Sequence, residues 1–226
     1  MKRPSPQVSA AGSLALLVAL AGFAAAQQSP SASVQAGATG VPRSPAEQAR
    51  ADSGRPSYTA ADVHFISGMI GHHAQAVLMA GWAPSHGASA AVRALCERIV
   101  VAQRDEIAFM QRWLRERSEP VPPADPRGHV MPGMDHPMLM PGMLTPEQMA
   151  ELDAARGPEF DRLFLRYMIQ HHQGAITMVD QLFGAPGAAQ DGLVFRFASD
   201  VHADQTTEID RMSLMLDAMP DTGKSH

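Results

Sequence analysis

From about residue 57 onward, apolar residues recur at helical spacing, and two breaks rich in proline and glycine interrupt that period. The stretch Phe65 to Met79, FISGMIGHHAQAVLM, predicts one helix. Thr59 and Asp62 can form the capping box that opens it, and Gly81 to Gly87 with Pro84 closes it. Ser89 caps a second predicted helix that runs to about Arg117. Thr145-Pro146-Glu147-Gln148 then supplies a cap, a first-turn proline and a reciprocal partner for a short helix to about Ala155. A long helix follows from about Pro158 to Phe183, and the final one ends near Met219 and Pro220. Between Pro120 and Leu144 prolines and glycines recur every few residues, so no helix propagates there.

The pattern repeats. Phe164 to Met178 reads FLRYMIQHHQGAITM and matches Phe65 to Met79 at seven of 15 positions, at an offset of 99. Asp62 and Asp161 extend the match. A second pair, Ile99–Leu114 against Val201–Leu216, agrees at Gln103/Gln205, Glu106/Glu208, Ile107/Ile209, Met110/Met212 and Leu114/Leu216, now at an offset of 102. The change in offset falls between the matched blocks, where a loop absorbs an insertion. Each repeat is a helical hairpin, and two hairpins with apolar faces bury them best as an all-α four-helix bundle. The predicted organisation is a hairpin over 57–119, a Met-rich linker over 120–144 and a second hairpin over 145–220.

Wound at 100° per residue, Asp62, Phe65, Met69, His72, His73, Ala76 and Met79 fall within an arc of about 120°. Asp161, Phe164, Met168, His171, His172, Ala175 and Met178 repeat that arc. Gln103, Glu106 and Met110 share a stripe on the partner helix, as do Gln205, Glu208 and Met212. The seam that should face the core therefore carries His, Met, Gln and Glu in both repeats. Buried imidazoles are costly unless each finds a partner. Two explanations stand: core histidines satisfied by those Glu, Gln or backbone carbonyls, or ligands of a soft metal ion, since imidazole and thioether together form such a set. Met69 lies one turn from both His72 and His73, within reach of a shared ion, whereas Met79 is about 10 Å of rise from His72. Met79 and Met178 thus fit a second site or plain packing.

Composition sharpens this picture. Aromatics make up 5% of the chain, yet it holds 15 methionines. Residues 131–143 read MPGMDHPMLMPGM, placing Met131, Met134, Met138, Met140 and Met143 with His136 in a Pro/Gly segment where no helical stripe explains them. Flexible thioethers suit Cu(I) or Ag(I), whereas zinc prefers Cys and His. The alternative is a hydrophobic clasp over the bundle. A single cysteine, Cys96, excludes an intramolecular disulfide framework. The net charge of −5 argues against nucleic acid as a partner.

The N-terminus reads as an export signal. Lys2 and Arg3 precede an uninterrupted apolar or small run from Leu14 to Ala26, and Ala24-Ala25-Ala26 fits a cleavage site. The run is too short to span a bilayer, so no stable membrane span is expected after cleavage. Cleavage would remove residues 1–26 with two positive charges, taking −5 to −7, and leave a flexible Ser/Ala/Gly/Pro leader over 27–56.

The paired blocks MIGHHAQAVLM and YMIQHHQGAITM, joined through GMLTPEQMAELDAARGPEFDRLFLRYMI, resemble the domain-of-unknown-function 305 family over roughly residues 57–218. The resemblance implies a ferritin-like helical bundle, export to the periplasm, and, from its CopM-type members, copper binding and resistance. It implies as ligands Met69, His72, His73 and Met79, then Met168, His171, His172 and Met178. Copper as Cu(I), with silver as the other candidate, is the expected metal, and copper-transport or resistance proteins are the expected partners. Gln103, Glu106, Met110, Gln205, Glu208 and Met212 would stand behind the ligands. Two other classes remain open: a metal-free structural or interaction bundle, and a di-iron oxidase. The oxidase chemistry uses a Glu-x-x-His motif, and no Glu here is followed three residues later by His. No catalytic motif is readable, so no enzyme is expected.

Overall fold

The computed structural model describes residue 44, residues 58–128 and residues 139–220. The predicted signal and leader, together with Met131, Met134, His136 and Met138, lie outside these residues, Ser44 of the leader excepted. Five helices follow one another: α1 (Ala60–Gly81), α2 (Ala90–Glu116), α3 (Pro146–Ala154), α4 (Gly157–Gly184) and α5 (Gly192–Asp217). The caps form as the sequence predicts. The Thr59 N–H donates to Asp62 Oδ2 at 2.7 Å while Asp62 N–H donates to Thr59 Oγ1 at 3.4 Å. Thr145 and Gln148 make the same reciprocal pair at the start of α3, and Ser89 caps α2. The last helix stops at Asp217, with Ala218 as its cap, slightly before the proline that was expected to end it. No helix among the described residues is long and apolar enough to cross a membrane.

Helices α1 and α2 form one hairpin, α4 and α5 the other, and α1 packs on α4 to join them. The two aspartates of the repeat tie the hairpins together. Asp62 Oδ1 accepts the Ala189 N–H at 2.7 Å, in the loop before α5, and Asp161 accepts the Ser89 N–H at 3.2 Å, at the start of α2. The start of each of α1 and α4 therefore meets the end of the other, and the two run antiparallel.

Two apolar clusters fill the bundle, and each draws on both repeats. The first holds Phe65, Ile66, Met69 and Met110 with Met178, Val179, Phe197 and Val201. The second holds Ala76, Met79, Leu95 and Ile99 with Phe160, Phe164, Met168 and Met212. On all four long helices, the residues between these clusters are polar: His72 and His73, Gln103 and Glu106, His171 and His172, Gln205 and Glu208. The duplication thus builds a polar layer between two halves of the core.

The linker's described parts strap across this frame. Gln75 clamps both of them: its Nε2 donates to Pro126 O and to Leu144 O, each at 3.1 Å, and its Oε1 accepts the Leu144 N–H at 2.7 Å. Gly174 lets the strap touch α4, because a Cβ there would stand 2.0 Å from Pro141 O. Met140 and Met143 pack into the first apolar cluster, as the clasp alternative expects for these two residues.

Candidate metal centre

The polar layer gathers four histidines with no exposed surface. His72 and His171, the first histidine of each repeat, meet with ring centroids 3.8 Å apart and planes tilted by 41°. His73 and His172 point instead toward the second helix of their own hairpins. His172 Nε2 donates to Glu208 Oε2 at 2.6 Å. His73 Nε2 comes within 2.7 Å of Glu106 Oε2, a close contact that lacks the alignment of a hydrogen bond. The repeat at offset 102 places these two carboxylates equivalently.

The strap fixes the tautomer of His72. A carbonyl can only accept, so the 3.0 Å contact between His72 Nε2 and Pro141 O puts the proton of His72 on Nε2. Glu208 likewise accepts a hydrogen bond from His172 Nε2, whereas Glu106 only lies close to His73 Nε2. In His72 the carbonyl contact leaves Nδ1 as the lone-pair nitrogen, and in all three rings Nδ1 is buried with no partner. Neither ring nitrogen of His171 makes a well-aligned hydrogen bond, although the His72 backbone lies near enough to favour its protonated form slightly. The side-chain oxygens of Gln103 and Gln205 are likewise buried and unpartnered. So many unmet acceptors in one layer are costly, at about 1–3 kcal/mol for each buried polar group.

Electrostatics keep the central pair neutral. Burial, with the neighbouring His73 adding to it, lowers the His72 pKa to about 3. Burial, followed by the presence of His72, holds His171 well below the usual imidazole range. Both rings therefore present lone pairs rather than positive charge at neutral pH. Cys96 offers nothing comparable, because burial and then Asp161 push its thiol up to about 12 and away from the thiolate that ligates metals.

The other predicted residues divide cleanly. Met69, Met110 and Met178 share the first apolar cluster with Met140 and Met143, while Met79, Met168 and Met212 share the second. Each of the long-helix methionines thus sits with partners from the opposite repeat, and Met79 stands away from Met69. Among the described residues, no three side chains drawn from His, Cys, Asp and Glu converge to hold one ion. Between α2 and α5 a cleft of about 260 Å³ opens over the layer, lined by Gln103, Glu106, Asp204, Gln205 and Glu208. Burial, and then the nearby charge of Glu106, raises the Asp204 pKa. Sequence reasoning missed the Pro141 carbonyl, Gln75 and Asp204. None of the three left a distinguishing trace there, since Gln75 against Gly174 is one of eight mismatches in that block.

Fold and site together define a duplicated four-helix bundle with a buried histidine layer. The chain belongs to the family described as Domain of unknown function (DUF305), whose model matches residues 62–216. A DUF305 fragment from Deinococcus radiodurans is 29% identical, with a TM-score of 0.60 over 73% of this chain and 100% of that one. A DUF305 protein from Streptomyces coelicolor, whose name marks it as a candidate secreted protein, is 29% identical, with a TM-score of 0.58 over 70% of this chain and 92% of that one. CopM in its Cu(I)-bound form is 26% identical, with a TM-score of 0.53 over 71% of this chain and 97% of that one. CopM has also been solved in Cu(II)-bound and Ag-bound forms. No curated protein matches the chain.

Proposed function

We propose that this chain is an exported binding protein for a soft monovalent cation, Cu(I) or Ag(I), held at the histidine layer. One observation carries the reading. Three of the four histidines have Nε2 set against a carbonyl or carboxylate while Nδ1 stays buried and unpartnered. Metal-ligating histidines are oriented in this way, with an acceptor on the far nitrogen fixing ring and tautomer. A purely structural histidine in the same place would use both nitrogens.

The donor set also favours a soft ion of low coordination number. With no three His, Cys, Asp or Glu converging among the described residues, a shared ion has two imidazoles, or an imidazole and a thioether, as its protein ligands. Met69 and Met168 stand one turn before His73 and His172 and supply that thioether in this reading. Gln103, Glu106, Gln205 and Glu208 act behind the ligands, and the cleft between α2 and α5, where Arg98 and Arg211 face Glu106, Asp204 and Glu208, opens toward them. Met131, Met134, His136 and Met138 extend the same ligand chemistry along the linker. The copper- and silver-bound forms of CopM support the choice of metal. The basic-apolar-small N-terminus and the Streptomyces coelicolor relative support export. The partners that fit are metal ions and the copper-transport or resistance proteins that would deliver or receive them. No enzymatic step is assigned.

The test is an anaerobic Cu(I) titration against a chromophoric Cu(I) chelator. A variant with His72, His73, His171 and His172 all replaced by Leu, shown helical by circular dichroism, should lose the tightest equivalent. If it competes for Cu(I) as well as the parent, the histidine layer is not the site.

A further inference from the structure

We propose that His64, Met140 and Met178 form a second soft-cation site at the outer edge of the bundle, separate from the histidine layer. The proposal rests on the reading that this chain takes soft cations, and it stands whether or not the histidine layer is their main site. A cleft of about 250 Å³ opens between α1, α4 and the strap, and these three side chains line it together with Pro141 and Gln181. His64 is exposed at its mouth, whereas Met140 and Met178 are each only 6% exposed. The cleft therefore joins solvent to two nearly buried thioethers through one imidazole. That is a soft donor set on a route a cation can enter.

The two thioethers end at the same point on α1. A Cβ placed on Gly68 would stand 3.2 Å from Met140 Sδ, 3.1 Å from Met140 Cε and 3.5 Å from Met178 Cε. The missing side chain at Gly68 is what admits both. His64 lies one turn earlier on the same face of α1. Met143 does not compete, since its sulfur already accepts the Met140 N–H at 3.4 Å. The backbone contact of Gly142 with α4 holds Met140 in place, and Pro141 O anchors the strap to His72. His64 and His72 are about 12 Å apart along the helix, too far to share an ion.

The duplication provides an internal comparison. At the repeat offset of 99, Leu163 stands where His64 does, Tyr167 where Gly68 does, and Met79 where Met178 does. Tyr167 is buried and hydrogen-bonded to Glu151 of α3, and Met79 has no exposure. The second half is therefore plugged by an aromatic ring and a helix where the first half keeps an imidazole, a gap and an extra methionine. Packing alone gives no reason for this difference, since the same fold closes the other half with ordinary side chains.

The test uses the full chain labelled with ε-¹³C methionine and titrated with Ag(I), which needs no reductant. The methyl signals of Met140 and Met178 should shift together, and Met140→Leu with Met178→Leu should remove one bound equivalent, counted by dialysis and mass spectrometry. His64→Ala, a surface change that leaves the core intact, should weaken the same equivalent. In the variant lacking all four layer histidines, the two methyl shifts should persist while the tight equivalent disappears. Persistence of both would leave this site standing and remove the histidine-layer reading. Unmoved Met140 and Met178 methyls in the parent, or an undiminished count in the double Leu variant, would overturn the proposal.

Discussion

His72 and His171 occupy equivalent places in the two repeats and lie against each other, ring centroids 3.8 Å apart and planes tilted by 41°, where α1 crosses α4. The relationship follows from duplication: antiparallel packing of two copies brings the residue on the axis against its own counterpart. Two imidazoles so close and so buried cannot both carry charge, and the structure holds both neutral. Their difference lies in the surroundings. The strap gives His72 a carbonyl partner and leaves His171 none.

That asymmetry makes His171 the sharper probe of function against stability. His171→Leu replaces two unpartnered buried nitrogens with apolar volume, so the metal-free protein should be stabilised by about 1 kcal/mol rather than harmed. The same change should abolish or strongly weaken the tightest Cu(I) equivalent. Denaturant unfolding with and without metal checks both halves. A variant that is less stable without metal yet binds normally would point to a structural histidine.

The carboxylates behind the second histidines should matter unequally. Glu208 is hydrogen-bonded to His172, while Glu106 only lies close to His73. Loss of such an outer partner costs about 10- to 100-fold in metal affinity, so Glu208→Ala should weaken Cu(I) binding within that range. Glu106→Ala should weaken it less. Competitive titrations of the two variants would show the order, and a reversed order would mean that the hydrogen bond is not what orients the ligand.

Stability of the metal-free protein should fall in acid through the central pair. Burial, with His73 adding to it, lowers the His72 pKa to about 3 in the folded chain, against 6.5 for an ordinary imidazole. Between those values the unfolded chain binds more protons, so this contribution to stability is complete above about 6.5 and is lost as pH falls toward 3. His171 acts in the same sense. Replacing both with Leu should flatten the pH dependence of unfolding between pH 6.5 and 4. An unchanged slope would show that other groups set it. Metal binding must compete with the same protons and should weaken in the same direction.

Much of this architecture was legible in the chain, because duplicated helices write their register twice. Asp62 and Asp161 stood out as matched residues, and the structure shows why: each ties its helix to the opposite hairpin. Glu106 and Glu208 were readable as possible partners of the histidines because helical spacing set both on the inner stripe, but which histidine each meets was not. The strap was readable only as a clasp alternative, without its particular contacts. Its contacts are made by backbone, through Pro141 O, Leu144 N and Gly142, and backbone groups carry no signature of their own. Met79 and Met178 were ambiguous for a related reason. A stripe says which face is buried but not which layer of the partner helix it meets, and the antiparallel crossing sends each methionine into the opposite repeat's cluster.

Gly174 tests the strap directly. A Cβ at this position would lie 2.0 Å from Pro141 O, 2.4 Å from Pro141 C and 2.5 Å from Gly142 Cα. These are backbone atoms, so no rotamer change relieves the clash and the strap itself must lift. Gly174→Ala should therefore destabilise the protein by about 1–3 kcal/mol or more, the usual range for overpacking, although alanine is the better helix former. Gly184→Ala is the control, since a Cβ there meets nothing within 4 Å and should leave stability unchanged or slightly raised. Lifting the strap also takes Pro141 O from His72, which removes the contact that fixes its tautomer. The imidazole nitrogens of His72 should then change from a fixed Nε2–H form toward a mixture of tautomers, which long-range ¹H–¹⁵N spectra of the ring report. A destabilised variant whose His72 keeps the parent's nitrogen shifts would show that the carbonyl does not set the tautomer.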